Sequence, residues 1–322
     1  MDTAFPVAIN LRHQLPEFHE CVLFLAMLSA PLPRFRIYTQ PSVYGRILSE
    51  YLLGRTERGD DVTRFEQAVA LRIGMKHAIA MPTARTGIYH VIRNTIRPGQ
   101  KVLLSPVTIS DVINMVICAG GVPVFGDVEP STCNIDAAEV ERLITPDTGA
   151  VFVTHLHGLS CDMTRIVAAC ETNGVPLIED AAQAFSARFN GQPLGSFGRA
   201  SVFSFGMYKN VNAFFGGMVT TNDDALALRI RADIAEHPYQ NQSKQLKKMI
   251  HGFATDLSTH PAIFGNFTYW IFRHAFLNDL DTINNMVIVD RTPERKDTIP
   301  DDYLARMRPL QARICLSQLG NV

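Results

Sequence analysis

The chain has 322 residues, 47% of them hydrophobic and 19% charged, a composition that allows one large globular domain, a smaller appendage and a sizeable core. Its 30 lysines and arginines nearly balance 31 aspartates and glutamates, for a formal net charge of -1. That balance excludes a general field drawing the chain to nucleic acid or to an acidic membrane surface.

Residues 1–11 lack the charged-then-apolar order of a signal peptide. The apolar run 22–30 is too short to cross a bilayer. Residues 1–53 are read as an N-terminal segment. From about residue 60, helices and strands alternate. Val62, Phe65, Ala68, Val69 and Leu71 fall near one side of a helix over 61–72, which Gly74 ends. A buried strand over 77–81 leads through Pro82, Thr83, Ala84, Arg85 and Thr86 to a helix over 87–93. Strands over 101–104, 122–125, 150–154 and 176–178 follow, separated by helices over 108–119, 137–143 and 162–172. This alternation predicts an α/β domain with a largely parallel central sheet. In such sheets a ligand sits beyond the carboxyl ends of the strands. Thr83, His157 and Asp180 all fall just past predicted strands. After Asp224 the alternation stops, and 225–303 reads as mainly helical, with a charged, proline-containing patch at 290–302.

The six cysteines (Cys21, Cys118, Cys133, Cys161, Cys170 and Cys315) are scattered without a CxxC pair. Reduced thiols in a cytoplasmic protein are the expectation. His155, His157 and Cys161 make no complete ligand set, so no metal is expected.

The segment 201–221 (SVFSFGMYKNVNAFFGGMVTT) places Ser204 and then Lys209 between two apolar strands. A bare buried ammonium is costly, so such a lysine snorkels, pairs, or serves as a neutral amine. Condensing it with an aldehyde cofactor removes the cost and creates an electrophile. A surface lysine in a hairpin loop is the plain alternative. Asp180, at a strand end, could keep an aromatic nitrogen protonated, or could simply cap the next helix. The turn 82–87 leads into a helix, where backbone N–H groups and the helix dipole could hold a phosphate.

Together and in this order, the segments resemble the DegT/DnrJ/EryC1/StrS aminotransferases, from about Gly54 to Leu319. The motifs are GRTERGDDVTRFEQAVALRIGMKHAIAM at 54–81, DVEPSTCNID at 127–136, HLHGLSCDM at 155–163, IEDAAQAF at 178–185, SFGMYKN at 204–210, GGMVTTND at 216–223 and RMRPLQARICLSQL at 306–319. The resemblance implies a fold type I pyridoxal-phosphate transferase. A large α/β domain over 54–224 would carry a mixed, mainly parallel sheet flanked by helices. Residues 225–322 would form a helical region with a small C-terminal domain cut short. Lys209 would hold pyridoxal 5'-phosphate as a Schiff base and move protons, and Asp180 would pair with the pyridine nitrogen. Gln183 would lie near the ring hydroxyl. Ser204, with Thr83 and the backbone of Ala84 and Arg85, would hold the phosphate. His157 would be structural support.

The implied reaction is a ping-pong transamination from an amino donor, glutamate in most relatives, to a keto sugar, usually nucleotide-linked. Relatives with histidine in place of the lysine dehydrate the sugar, so Lys209 implies transamination. The family also implies a homodimer, and a place in polysaccharide or secondary-metabolite sugar synthesis. Relatives often carry Ser-Gly-Thr where this chain has Thr83-Ala84-Arg85, an aromatic residue where it has Ile109, and an asparagine where it has Leu304. Arginine can still bind phosphate as a planar fork. A truncated, non-catalytic or regulatory relative is the alternative reading. A nicotinamide oxidoreductase is a third, and the absence of GxGxxG in the first strand–helix turn counts against it. The aromatic-rich stretch 263–277 (IFGNFTYWIFRHAFL) is expected to pack as the core of a helical subdomain. Docking to a membrane or a lipid-linked sugar is its minor alternative.

Overall fold

The computed structural model describes residues 31–33, 36, 37, 39–284 and 294–322. The expectations for 1–11 and 22–30, Cys21, and the start of the charged patch lie outside the described residues. Two compact units divide the described chain: 37–256 with 294–322, and 31–33 and 36 with 257–284. No helix among the described residues is long and apolar enough to cross a membrane.

The larger unit is built on a seven-stranded sheet. Its strands are β1 (His77–Met81), β2 (Lys101–Leu104), β3 (Val122–Phe125), β4 (Thr148–Thr154), β5 (Leu177–Asp180), β8 (Ala200–Ser204) and β9 (Gly217–Thr221), in the order β1-β9-β8-β5-β4-β2-β3. The two-residue strands β6 (Arg188–Phe189) and β7 (Gln192–Pro193) pair separately. Within the seven-stranded sheet only β9 runs against its neighbours, β1 and β8; the other pairings in it are parallel. The sheet is therefore mixed and mainly parallel, as expected of fold type I. All seven residues of β4 and all four of β5 are buried, because helices cover both faces of a parallel sheet.

Among the helices that position the site, α1 (Asp61–Ile73) ends and α2 (Ala84–Arg93) begins on residues suited to capping. In α1, Phe65, Val69 and Ile73 are buried at four-residue spacing, and Gly74 closes the helix at φ 77. Helix α2 starts three residues earlier than the pattern predicts, because the Thr83 hydroxyl accepts a hydrogen bond from the Thr86 N–H at 3.3 Å. Helix α3 (Ser110–Cys118) and helix α4 (Pro309–Leu316) complete the surroundings. At the start of α4 the Gln311 side-chain carbonyl accepts from the Arg308 N–H at 2.8 Å. The helix ties back to the start of the domain through Arg313, which pairs with Glu50 and Asp61, and through Arg308, which pairs with Glu57.

Both sheet edges are blunted. At β1, Glu66 accepts from the Ala80 N–H at 2.8 Å and Arg231 donates to the Ala78 carbonyl at 2.7 Å. At β3, Pro123 removes a donor from the outer strand.

The stretch 263–277 departs from the expected buried packing. A π-helical turn, Phe264–Thr268, runs into the helix Tyr269–Leu277. Gly265, Thr268 and Ala275 take the buried positions, while Phe267, Trp270, Ile271 and Phe276 are exposed. Apart from Arg273 and His274 the helix is apolar on every side, so periodicity does not say which side is buried; the small residues take the buried positions.

Candidate functional site

Strand register brings the predicted residues to one edge of the sheet. Met81 pairs with Gly217 and Gly217 with Ser204, so the ends of β1 and β8 flank the start of β9 at one level. Asp180 pairs with Thr154 on one side and Val202 on the other, two residues before Ser204. The strand β5 continues through Glu179 and Asp180 rather than stopping before them.

Gly217 makes the floor of a cradle. A Cβ there would lie 2.6 Å from the Ala84 nitrogen and 2.6 Å from the Thr83 carbonyl carbon. Only a residue without a side chain lets β9 press against the turn that starts α2. The Ser204 hydroxyl accepts from the Gly206 N–H at 3.3 Å. Beside the cradle, the Arg85 guanidinium is engaged by the protein itself. Its Nε lies 3.1 Å from Asp111 Oδ2 and its Nη1 donates to the Tyr303 hydroxyl at 3.0 Å. Lys296 and the Tyr303 hydroxyl also donate to Asp111, at 2.6 and 3.1 Å. Burial pushes the Asp111 carboxyl up, but Lys296 and Arg85 outweigh it and hold the group below the usual range.

Lys209 lies on the connection between β8 and β9, where its N–H donates to the Gly206 carbonyl at 3.1 Å. The residue is half-buried. Burial lowers its proton affinity, and the nearby Asp180 carboxylate works against that. Asp180 is buried, with Oδ1 accepting from the Ala182 N–H at 3.0 Å and Oδ2 from the Thr154 hydroxyl at 3.4 Å. Burial raises its pKa, opposed by the Ala182 N–H, then by Lys209, His155 and Thr154. Amine and carboxylate thus sense each other across the strand ends.

The remaining predicted residues surround this pair less closely. Gln183 is exposed, and its side-chain carbonyl accepts from the His157 N–H at 3.0 Å. His157 is exposed at φ 55, a left-handed conformation that a bend past β4 imposes. Ile109 stands exposed at the N-cap of α3. Leu304 is half-buried and packs against one of the two core clusters.

Sequence reasoning missed Thr154, the buried pair His155 and Glu179, and the Asp111–Lys296–Tyr303 cluster. Thr154 and Glu179 stand at strand ends, the positions already flagged for chemistry. The Asp111 cluster joins residues up to 192 positions apart, and no local pattern announces it.

A family model, the DegT/DnrJ/EryC1/StrS aminotransferase family, matches residues 50–267. The chain is 38% identical over 179 residues to the spore coat polysaccharide biosynthesis protein SpsC of Bacillus subtilis, covering 55% of this chain and 46% of that protein. It is 40% identical over 174 residues to the GDP-perosamine synthase of Caulobacter vibrioides, covering 54% and 47%. The crystal structure of DesI in the presence of its TDP-sugar product aligns at a TM-score of 0.58 and 33% identity, covering 64% of this chain and 53% of that one. The chain spans about half the length of the curated relatives it matches.

Proposed function

Since the chain belongs to the DegT/DnrJ/EryC1/StrS aminotransferase family, we propose that it transfers an amino group from an amino acid, glutamate first, to a nucleotide-linked keto sugar, using pyridoxal 5'-phosphate. The reading rests on one observation: Lys209 is half-buried on the connection that leaves β8, and β8 pairs with β5, whose end carries the buried Asp180. The names of the relatives support a sugar substrate, and the TDP-sugar product of DesI supports a nucleotide carrier. A homodimer in the cytoplasm completes the proposal.

The residues fit the cofactor. The missing Cβ of Gly217 leaves the Thr83–Ala84 peptide against β9, at the N-terminus of a ten-residue helix whose dipole favours an anion. Thr83, the backbone of Ala84 and Arg85, and Ser204 would hold the phosphate there. The Arg85 guanidinium, shared with Asp111 and Tyr303, adds positive charge from a fixed position. Asp180, aimed by Ala182 and Thr154, would keep a proton on the ring nitrogen. Bound there, the cofactor supplies an aldehyde for the amine and a ring that draws off electrons. Lys209, its charged form disfavoured by burial, would serve as attachment point and then carry the proton at Nζ as base and acid. Gln183 would stand near the ring hydroxyl, and Ile109 would offer an apolar face in place of an aromatic one. The placement of Lys209 on the connection leaving β8, with Asp180 at the end of the neighbouring β5, favours this catalytic reading over a non-catalytic relative.

Adding pyridoxal phosphate to the purified protein is expected to give a near-visible absorption band that Lys209→Ala lacks. Glutamate is expected to bleach that band. A spectrum indifferent to the Lys209 substitution would end the proposal.

A further inference from the structure

Glu179 and Asp180 are adjacent in β5, so their side chains leave opposite faces of the sheet. Glu179 is fully buried, where an unpaired carboxylate would be very costly. Its oxygens are instead saturated. Oε1 accepts from the N–H groups of Phe197 and Gly198, at 2.7 Å each. Oε2 accepts from the Gly195 N–H at 2.7 Å and meets His155 Nε2 at 3.1 Å.

Three of these donors come from one tight turn, 195–198, which two glycines make possible. A Cβ on Gly195 would lie 2.3 Å from the Phe203 ring, and one on Gly198 would lie 2.6 Å from the Leu177 carbonyl oxygen. The fourth donor, His155, is also fully buried. Its Nδ1 accepts from the Cys161 N–H at 3.4 Å, so its proton sits on Nε2 and is donated to Glu179. The backbone N–H of His155 donates to the Asp180 carbonyl at 3.0 Å, and its neighbour Thr154 donates to the Asp180 carboxylate. One residue therefore grips Glu179 with its ring and Asp180 with its main chain. Strand β5 cannot rotate at its end without breaking five hydrogen bonds, four on Glu179 and one on the Asp180 carbonyl.

We propose that His155 and Glu179 form a positioning couple that fixes the direction in which Asp180 presents its carboxylate to the cofactor ring. The inference rests on the cofactor reading of the site given above. Neither residue touches the reacting atoms; both act through Asp180.

The test uses the full chain reconstituted with pyridoxal phosphate. His155→Leu keeps the bulk and removes the donor; His155→Gln offers an amide oxygen to Cys161 and an amide N–H to Glu179. The leucine variant is expected to weaken cofactor affinity about tenfold and to change the circular dichroism of the near-visible band, which reports how the ring is held. The glutamine variant is expected to recover most of both. A folded leucine variant with unchanged affinity and unchanged cofactor dichroism overturns the inference and leaves the proposed function standing. An unmodified protein with no Lys209-dependent band removes both. If the leucine variant does not fold, nitrogen-15 spectra of the histidines in the unmodified protein decide: a proton on Nε2 of His155 supports the couple, and a proton on Nδ1 overturns it.

Discussion

On one face of β5, Glu179 accepts hydrogen bonds from four donors. On the other face, one residue along, Asp180 accepts two, and its proton affinity answers to Lys209. Both carboxylates are buried. The saturated one has nothing left to offer and holds the strand end in place. The other keeps lone pairs in reserve, and in the proposed function that reserve would serve a ring nitrogen. Burial alone does not distinguish a structural carboxylate from a working one; the count of donors already committed to it does.

The comparison breaks most sharply by removing each carboxylate in turn. Glu179→Ala leaves three backbone N–H groups and the His155 ring without an acceptor, at about 1 kcal/mol or more apiece. A loss of about 3 kcal/mol or more in urea unfolding is expected. Asp180→Asn keeps an oxygen for Thr154 or Ala182 and removes a charge that burial disfavours, so stability should change by about 1 kcal/mol or less while transamination falls about a hundredfold or more. Equal destabilisation by both would erase the distinction. A smaller effect is expected at the cradle. Gly217→Ala forces the turn at Thr83 and Ala84 away from β9, costing about 1–3 kcal/mol and weakening the phosphate. Unchanged binding of inorganic phosphate and pyridoxal phosphate in that variant would show that the close approach does not shape the anion site.

Much of this arrangement is legible in the sequence because it is local. The strands β1, β2 and β3 fall where apolar runs bounded by turn residues place them. Asp180 stands at the end of β5 and Lys209 on the connection that leaves β8, at the side of the sheet where α/β folds put ligands. The early start of α2 was hidden because one threonine hydroxyl, rather than periodicity, sets it. The clamp on Glu179 was hidden because it needs the register of β4 on β5 and the conformation of a turn 16 to 19 residues away. Nothing in IEDAAQAF says which of two neighbouring acids will be saturated. The aromatic stretch misled for a related reason: apolar residues on every side give a helix no readable buried face, and the small residues decided it.

The smallest and most specific effect concerns how the two groups of the site feel each other. Burial, opposed by Ala182, Lys209, His155 and Thr154, raises the Asp180 carboxyl above its ordinary 3.8. A raised acid binds its proton more tightly when folded. Its contribution to stability is full below the unfolded value and declines as pH rises through the folded one. Lys209 runs the other way: burial lowers it below 10.5, with Asp180 opposing, so its contribution is full above the unfolded value and is lost as pH falls through the folded one. Lys209→Met removes the second effect and strengthens the first, because Asp180 loses its counter-charge and rises further. Between pH of about 4 and 7, where the unfolded lysine stays charged throughout, loss of the Lys209 contribution and the further rise of Asp180 act in the same direction. The stability of the variant relative to the unmodified apoprotein should therefore fall as pH rises across that interval, measured by urea unfolding at each pH. Parallel curves would mean that the amine and the carboxylate do not sense each other, and the site would lose the coupling on which its chemistry depends.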